Sequence, residues 1–381
     1  MQRRDFLKSA LALGLAGLSP ALYPAAGNRR HLLLIELKGG NDGLNTLVPY
    51  SDPVYHRLRP RLAIPREKVL QLTPGAGFHP ALEPLMKPWQ AGELAVVQGL
   101  GYPSPNRSHF RSIEIWETGS DAQEYLDSGW LARLLGNGGG RSGVVDGVAL
   151  GRGGAGPLMG GGINSLVMDD PEGFLKRAAR LAASSAASDN PALKHLLDVE
   201  RDLKSGSVKL AQGLPRADAL GEFPKHRLGR DLKNAARLFS GGNPPRVIKL
   251  SHGSFDTHAN QAGRHQRLLS QLAEGVAAFR AAMKANGLWD NTLVMTYSEF
   301  GRRVKENASG GTDHGTAAPH LLLGGRVAGG LYGEAPDLNR LDKNDLRFTT
   351  DYRRLYATVA EAWFGMGAVD RRFRPIDCLK G

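Results

Sequence analysis

Residues 246–297 leave the chain little topological freedom. Arg246–Leu250 (RVIKL) and Thr292–Tyr297 (TLVMTY) are short, nearly continuous apolar runs, the pattern of strands buried on both faces. Between them Leu268, Leu272, Val276, Phe279 and Met283 recur at spacings of four and three, which predicts one amphipathic helix over Gln261–Lys284. Asn286-Gly287 stops that helix, and Asp290-Asn291 turns the chain into the next strand. Strand, helix and strand in this order form a βαβ crossover, so the fold class is α/β with a mainly parallel sheet flanked by helices.

Four further runs fit the same sheet: His31–Leu37 (HLLLIEL), Leu94–Leu100 (LAVVQGL), Val144–Leu150 and His320–Leu323 (HLLL). A closing helix is expected over Asp351–Trp363. Ala-, Leu- and charge-rich sequence from Ala178 to Leu203 reads as surface helices, within a helical insertion at about 170–240. Gly136–Gly162 is dense in glycine and reads as long loops; it lacks the strand–GxGxxG–helix context of a dinucleotide site, and no Walker sequence occurs. With 49 glycines and 22 prolines in 381 residues a helix-only bundle is excluded, and with Cys378 alone no intrachain disulfide forms.

Met1–Gly27 carries Arg3-Arg4 before Phe6-Leu7-Lys8, a modest apolar stretch, then small residues around Ala25-Ala26. This order resembles a twin-arginine export signal. Leu11–Leu18, followed by Pro20 and interrupted by Gly14 and Gly17, is too short to span a bilayer. The expectation is therefore a signal peptide at 1–27, a domain at 28–381 without a stable transmembrane segment, and a periplasmic or secreted product handled by the twin-arginine translocase. Such substrates cross already folded, which agrees with a chain free of disulfides. The net charge of +12 loses two with the signal and is spread without a block of like charges. It is not interleaved with aromatics, so nucleic acid is not an expected partner.

Histidine is the sharpest chemical clue. Five of eleven, His252, His258, His265, His314 and His320, fall within residues 252–320, together with Asp256, Glu299 and Asp313. Ligand sites in such sheets lie outside the carboxyl ends of the strands. His252–His258 follows RVIKL there, Ser298-Glu299 follows TLVMTY, and Asp313-His314 lies in the next loop. Imidazole with carboxylate suits a divalent metal, with Asp256, His258 and His314 as the leading ligands. His265 and His320 lie on elements where a structural role is the simpler reading. Ser108, after the LAVVQGL strand, either caps a helix over Arg111–Glu117 or, beside a metal, ionises and attacks an ester.

The stretches LLLIELKGGNDGLNTLVPY, RSHFRSIEIWETG, SHGSFDTHANQAGRH, DNTLVMTYSEFGRR and GGTDHGTAAPHLLLGG, with the double-arginine start, together resemble the bacterial family known as domain of unknown function 1501. That family looks like a distant branch of the alkaline phosphatase and sulfatase superfamily. The resemblance implies an alkaline phosphatase-like architecture and a two-metal site with a serine or threonine nucleophile. On this sequence Asp256 and His258 resemble the first ligand pair, with one residue between them where three are usual. His314 resembles the late histidine, and Ser108 the nucleophile. Glu299 stands where the Asp of an Asp-His pair is expected, and Phe300 replaces its histidine. Lys38 occupies the place after the first strand where an Asp would stand, leaving Asp42 as a displaced substitute.

The resemblance thus implies an exported hydrolase of phosphate or sulfate esters. Asp256, His258 and His314, joined by Asp313, would hold one divalent ion of zinc, manganese or calcium type, with Asp42 and Glu299 as candidate ligands of a second. Ser108 would attack, and Arg107 or Lys38 would neutralise the anionic ester substrate. The rival expectation is a non-catalytic exported binding or assembly protein that keeps the fold with a degenerate metal site, as Phe300 and Lys38 suggest.

Overall fold

A computed structural model describes residues 29–136, 145–160, 162–180 and 189–381. The export signal expected at 1–27 and part of the glycine-rich run lie outside the described residues.

Among the described residues nine strands form one sheet. In chain order they are β1 (His31–Leu37), β2 (Leu94–Gly101), β3 (Gly147–Leu150), β4 (Ser165–Met168), β5 (Val247–His252), β6 (Thr292–Tyr297), β7 (Ala318–Gly324), β8 (Gly330–Tyr332) and β9 (Thr350–Asp351). They lie side by side as β8-β2-β7-β6-β1-β5-β3-β4, with β9 added to β2. β1 pairs in parallel with both β5 and β6, in the registers Leu32↔Val247 and Leu32↔Leu293. β7 is the departure from the sequence expectation: it runs antiparallel to both β6 and β2. Its apolar run HLLL carries no information on direction. The short strands β4, β8 and β9 lie at or near the margins and were not legible; Ser165, Leu166 and Val167 of β4 are not fully buried, so the run lacks a buried strand's signature.

β1 shows why the sheet is the middle of three layers. All seven residues are buried, and alternate side chains enter different cores. Leu33, Ile35 and Leu37 join one core and Leu32 and Leu34 the other. The first core is roofed by α4 (Arg227–Phe239) and α5 (Gln261–Ala285), whose Leu269, Leu272, Val276, Phe279 and Met283 are buried. Removing one such side chain from water contributes roughly 1.5–3 kcal/mol, so this face alone holds α5 on the sheet. Gly287, at φ +67°, ends the helix in the left-handed conformation that favours glycine. The opposite core takes α1 (His109–Thr118) and the C-terminal helix α6 (Arg353–Ala357), which continues as a π-helical turn over Thr358–Trp363. The insertion contains α2 (Pro171–Arg180) and α3 (Pro191–Ala211) before α4.

The parallel run β5-β1-β6 gathers the carboxyl ends of three adjacent strands at one rim. The segments Lys38–Asp42, Gly253–His258 and Ser298–His314 leave from that rim. Since β7 runs back down beside β6, the loop before it must return to the same rim. α1, which follows β2, starts there too.

A candidate metal centre at the strand ends

Four side chains converge at this rim. Asp256 Oδ1 lies 3.0 Å from His258 Nε2 and 3.2 Å from His314 Nε2, and Asp256 Oδ2 lies 3.4 Å from His109 Nε2. The two imidazole nitrogens of His258 and His314 are 3.0 Å apart. Among the described residues His109, Asp256 and His314 form a donor set whose ligand atoms all lie within 4.8 Å of one another.

Each imidazole is turned inward by a tie on its other nitrogen. His109 Nδ1–H donates to Glu299 Oε1 at 2.9 Å. His314 Nδ1–H donates to the Arg107 carbonyl at 2.9 Å, and His258 Nδ1 lies 3.4 Å from Asp313 Oδ1. With the proton on Nδ1 in each ring, three Nε2 atoms face Asp256, the usual outer support of metal-binding histidine. Glu299 is itself held by the Gly39 amide at 2.8 Å. Gly39 has φ +115°, and a Cβ there would come within 2.4 Å of the Asp256 nitrogen, so only glycine admits this packing of the two loops.

Arg302 sets the electrostatics. Its side chain is fully buried, and Nη2 donates to Asp256 Oδ1 at 2.6 Å. The same guanidinium donates to the carbonyls of Gly39, Gly40, Phe255 and Thr312. Burial opposes ionisation of Asp256, yet the hydrogen bond and charge of Arg302 outweigh it and hold the carboxyl at about 2. The Glu299 hydrogen bond raises His109 above the ordinary histidine value, whereas burial lowers His314. Asp313 is lowered, chiefly by a hydrogen bond from Asn307.

The remaining sequence candidates lie elsewhere. Asp42 does not face this cluster: its buried carboxylate pairs with Arg59 at 2.6 Å and accepts from Gln261. Burial opposes ionisation there too, and Arg59 reverses the shift. Lys38 is exposed and lines a separate cavity with Arg152, Arg227 and Ser251. Glu299 and Asp313 stand behind His109 and His258 rather than at the convergence. Arg107 pairs with buried Asp345 at 3.0 Å. Ser108 is exposed, precedes α1 and makes no side-chain capping bond. Phe300 packs its ring 5.0 Å from that of His109 and 4.5 Å from that of His314, so an apolar wall stands where the resemblance would have a ligand. Sequence reasoning missed His109; its placement one residue after Ser108, at a helix start beyond a strand's carboxyl end, was the available signal. His265 and His320 are buried, as a structural role requires.

Residues 234–371 match the family described as "Protein of unknown function (DUF1501)". The family resemblance is therefore borne out over the segment that carries Asp256, His258, Glu299, Arg302, Asp313 and His314; the match does not extend to Ser108 or His109. No curated protein matches the chain. Similar solved structures include a protein in the alkaline phosphatase superfamily from Vibrio parahaemolyticus, 12% identical, covering 80% of this chain and 62% of its own, with a TM-score of 0.37. The chain thus spans less than two thirds of that protein's length. Others are the lipoteichoic acid synthase LtaP from Listeria monocytogenes (12% identity, 84% and 75% coverage, TM-score 0.39) and the zinc complex of the C-terminal periplasmic domain of EcEptC from Escherichia coli (11%, 78% and 73%, 0.38). These likenesses are distant, and the α/β fold stands on the sheet itself. Among the described residues no helix is long and apolar enough to cross a membrane.

Proposed function

We propose that the protein is an exported, metal-dependent hydrolase of phosphate or sulfate esters with a single metal centre at His109, Asp256, His258 and His314. The observation that carries this reading is the convergence of three imidazole Nε2 atoms on one ionised carboxylate. Donor separations of 3.0–3.4 Å suit a small divalent ion, since tetrahedral ligands at Zn–N distances of about 2.0–2.1 Å stand roughly 3.3 Å apart. Such an ion would supply Lewis acidity toward an ester oxygen and lower the pKa of a neighbouring hydroxyl. The chain's own part is positional: Glu299, Asp313 and the Arg107 carbonyl orient the imidazoles, Phe300 covers one side, and Arg302 keeps Asp256 ionised. Ser108, beside His109 and open to solvent, is the proposed nucleophile.

Elemental analysis of protein purified without chelator should find about one divalent ion per chain, and Asp256→Asn should lose it together with turnover of aryl phosphate or aryl sulfate. A metal-free chain that also fails to bind added zinc or manganese, and is inert on both esters, overturns the reading. A narrower test concerns Glu299. Glu299→Gln keeps an acceptor for Gly39 and His109 but removes the charge, so metal affinity should fall on the order of 10-fold, within the range for lost outer-shell partners. Competition with a chromogenic chelator measures this, and unchanged affinity would remove Glu299 from the site.

A second reading, a non-catalytic binding or assembly protein, is favoured by the contact of Arg302 with Asp256 Oδ1, where a cation already sits. It expects metal-free protein at full stability and no consequence of Ser108→Ala.

A further inference from the structure

Beside the histidine cluster lies a cavity of about 770 Å³ whose lining includes Asn106, Arg107, Thr316, Lys343, Arg347 and Phe348. It adjoins the cluster through the chain itself: the Arg107 carbonyl accepts from His314, and Thr316 lies two residues beyond His314. Among its lining residues Arg107, Lys343 and Arg347 outnumber the one acidic residue, Asp342. Lys343 and Arg347 are exposed, with no ion pair among the described residues. Arg107 is paired with Asp345 through Nη2, while its Nε is buried without a hydrogen-bond partner. An unpartnered guanidinium N–H and two free cations at the edge of one cavity favour an anionic group.

Leu346 lines this cavity and also a second one of about 300 Å³, which runs between Leu44, Leu47, Pro319, Leu331 and Pro336. This second space is mostly apolar. A cationic cavity and an apolar slot with Leu346 common to both linings match a ligand with a charged head and an aliphatic chain.

We propose that the substrate is a phosphate or sulfate monoester of an aliphatic alcohol, its anion against Arg107, Lys343 and Arg347 and its chain in the slot beyond Leu346. This deepens the hydrolase reading and rests on it for the reaction. In that reaction water's oxygen ends on phosphorus or sulfur and a proton ends on the departing alcohol oxygen, so the products are the alcohol and the inorganic anion. The positive cavity complements the head's charge, and the slot removes methylenes from water.

The test is a binding series of ethyl, butyl, hexyl and octyl phosphate, measured by calorimetry on the full chain in the presence of chelator. Affinity should rise about fourfold per methylene over the part of the chain that is buried, the value for transfer of CH₂ from water. Ala335→Trp, at an exposed position lining the slot, should flatten the series. Arg347→Glu should weaken every member about equally. Affinity independent of chain length, or a chain-length effect that survives Ala335→Trp, overturns the proposal. Turnover of aryl phosphate or sulfate by metal-loaded protein separates the two ideas: turnover without a chain-length effect sinks only this inference, and a chain-length effect without turnover sinks only the hydrolase reading.

Discussion

Lowering the pH from 7 toward 4.5 is expected to unfold the protein, with an uptake approaching five protons. Five histidines are buried and kept neutral. Burial is the main cause in each, lowering His31, His79 and His252 to about 4 and His265 and His320 to about 3. In the unfolded chain each returns to about 6.5. Between these values the unfolded state binds the protons and the folded state does not. The stabilisation from neutral burial is therefore complete above about pH 6.5 and is lost as the pH falls toward 4 and then 3.

If all five titrate in this way, stability falls by roughly 7 kcal/mol per pH unit at the steepest point, against a total of about 5–15 kcal/mol for an ordinary domain. The transition should thus lie between about pH 4 and 5.5. His320 offers the cleanest dissection, since its Nδ1 has no hydrogen-bond partner and its ring packs 5.3 Å from that of Trp116. His320→Leu should reduce the pH slope of the urea midpoint by about one proton. A slope below two protons in the parent chain would refute this account.

Arg302→Met should cost about 3–5 kcal/mol of stability, because it removes the donor from four carbonyls at once. Arg302→Lys should recover only part of the loss. Lysine has three donors on a flexible stem, whereas the guanidinium fork reaches Gly39, Gly40, Phe255, Thr312 and Asp256 together. A structural arginine remote from the cluster would produce the same unfolding without touching Asp256. The distinguishing readout is therefore the Asp256 carboxyl, which should rise from about 2 when Arg302 is replaced, followed by NMR in whichever variant still folds. Arg302→Met with unchanged chemical stability would show that the carbonyls find water instead.

The legible parts of the chain were those where one physical requirement acts alone. β1 and β6 read cleanly because a strand buried on both faces must be apolar throughout, and α5 because a helix on a sheet must repeat every three to four residues. His258 and His314 stood out because a polar ring just past a buried strand is unexpected without a partner. His109 did not, since histidine at a helix start has ordinary uses and its partners lie some 150–200 residues away. Asp42 misled for the opposite reason. It sits after a strand, as a ligand should, but Arg59 neutralises it from a loop with no periodic pattern. The direction of β7 was equally hidden, because it depends on how the preceding loop returns rather than on the strand's own residues.

That reversed strand has a consequence for the order in which the site is built. β5, α5, β6 and β7 are successive in the chain, and their connections supply Asp256, His258, Arg302 and His314, but β1 is seated between β5 and β6 in the sheet. β6 and the reversed β7 pair across the one loop between them at low entropic cost, whereas β1 and His109 both arrive from far upstream and close much longer ones. Arg302 and His314, bridged backbone to backbone, are thus set side by side locally, whereas Asp256 and His258 reach them only once β1 has brought β5 alongside β6. Convergence of the four side chains becomes a mark of completed folding rather than its trigger.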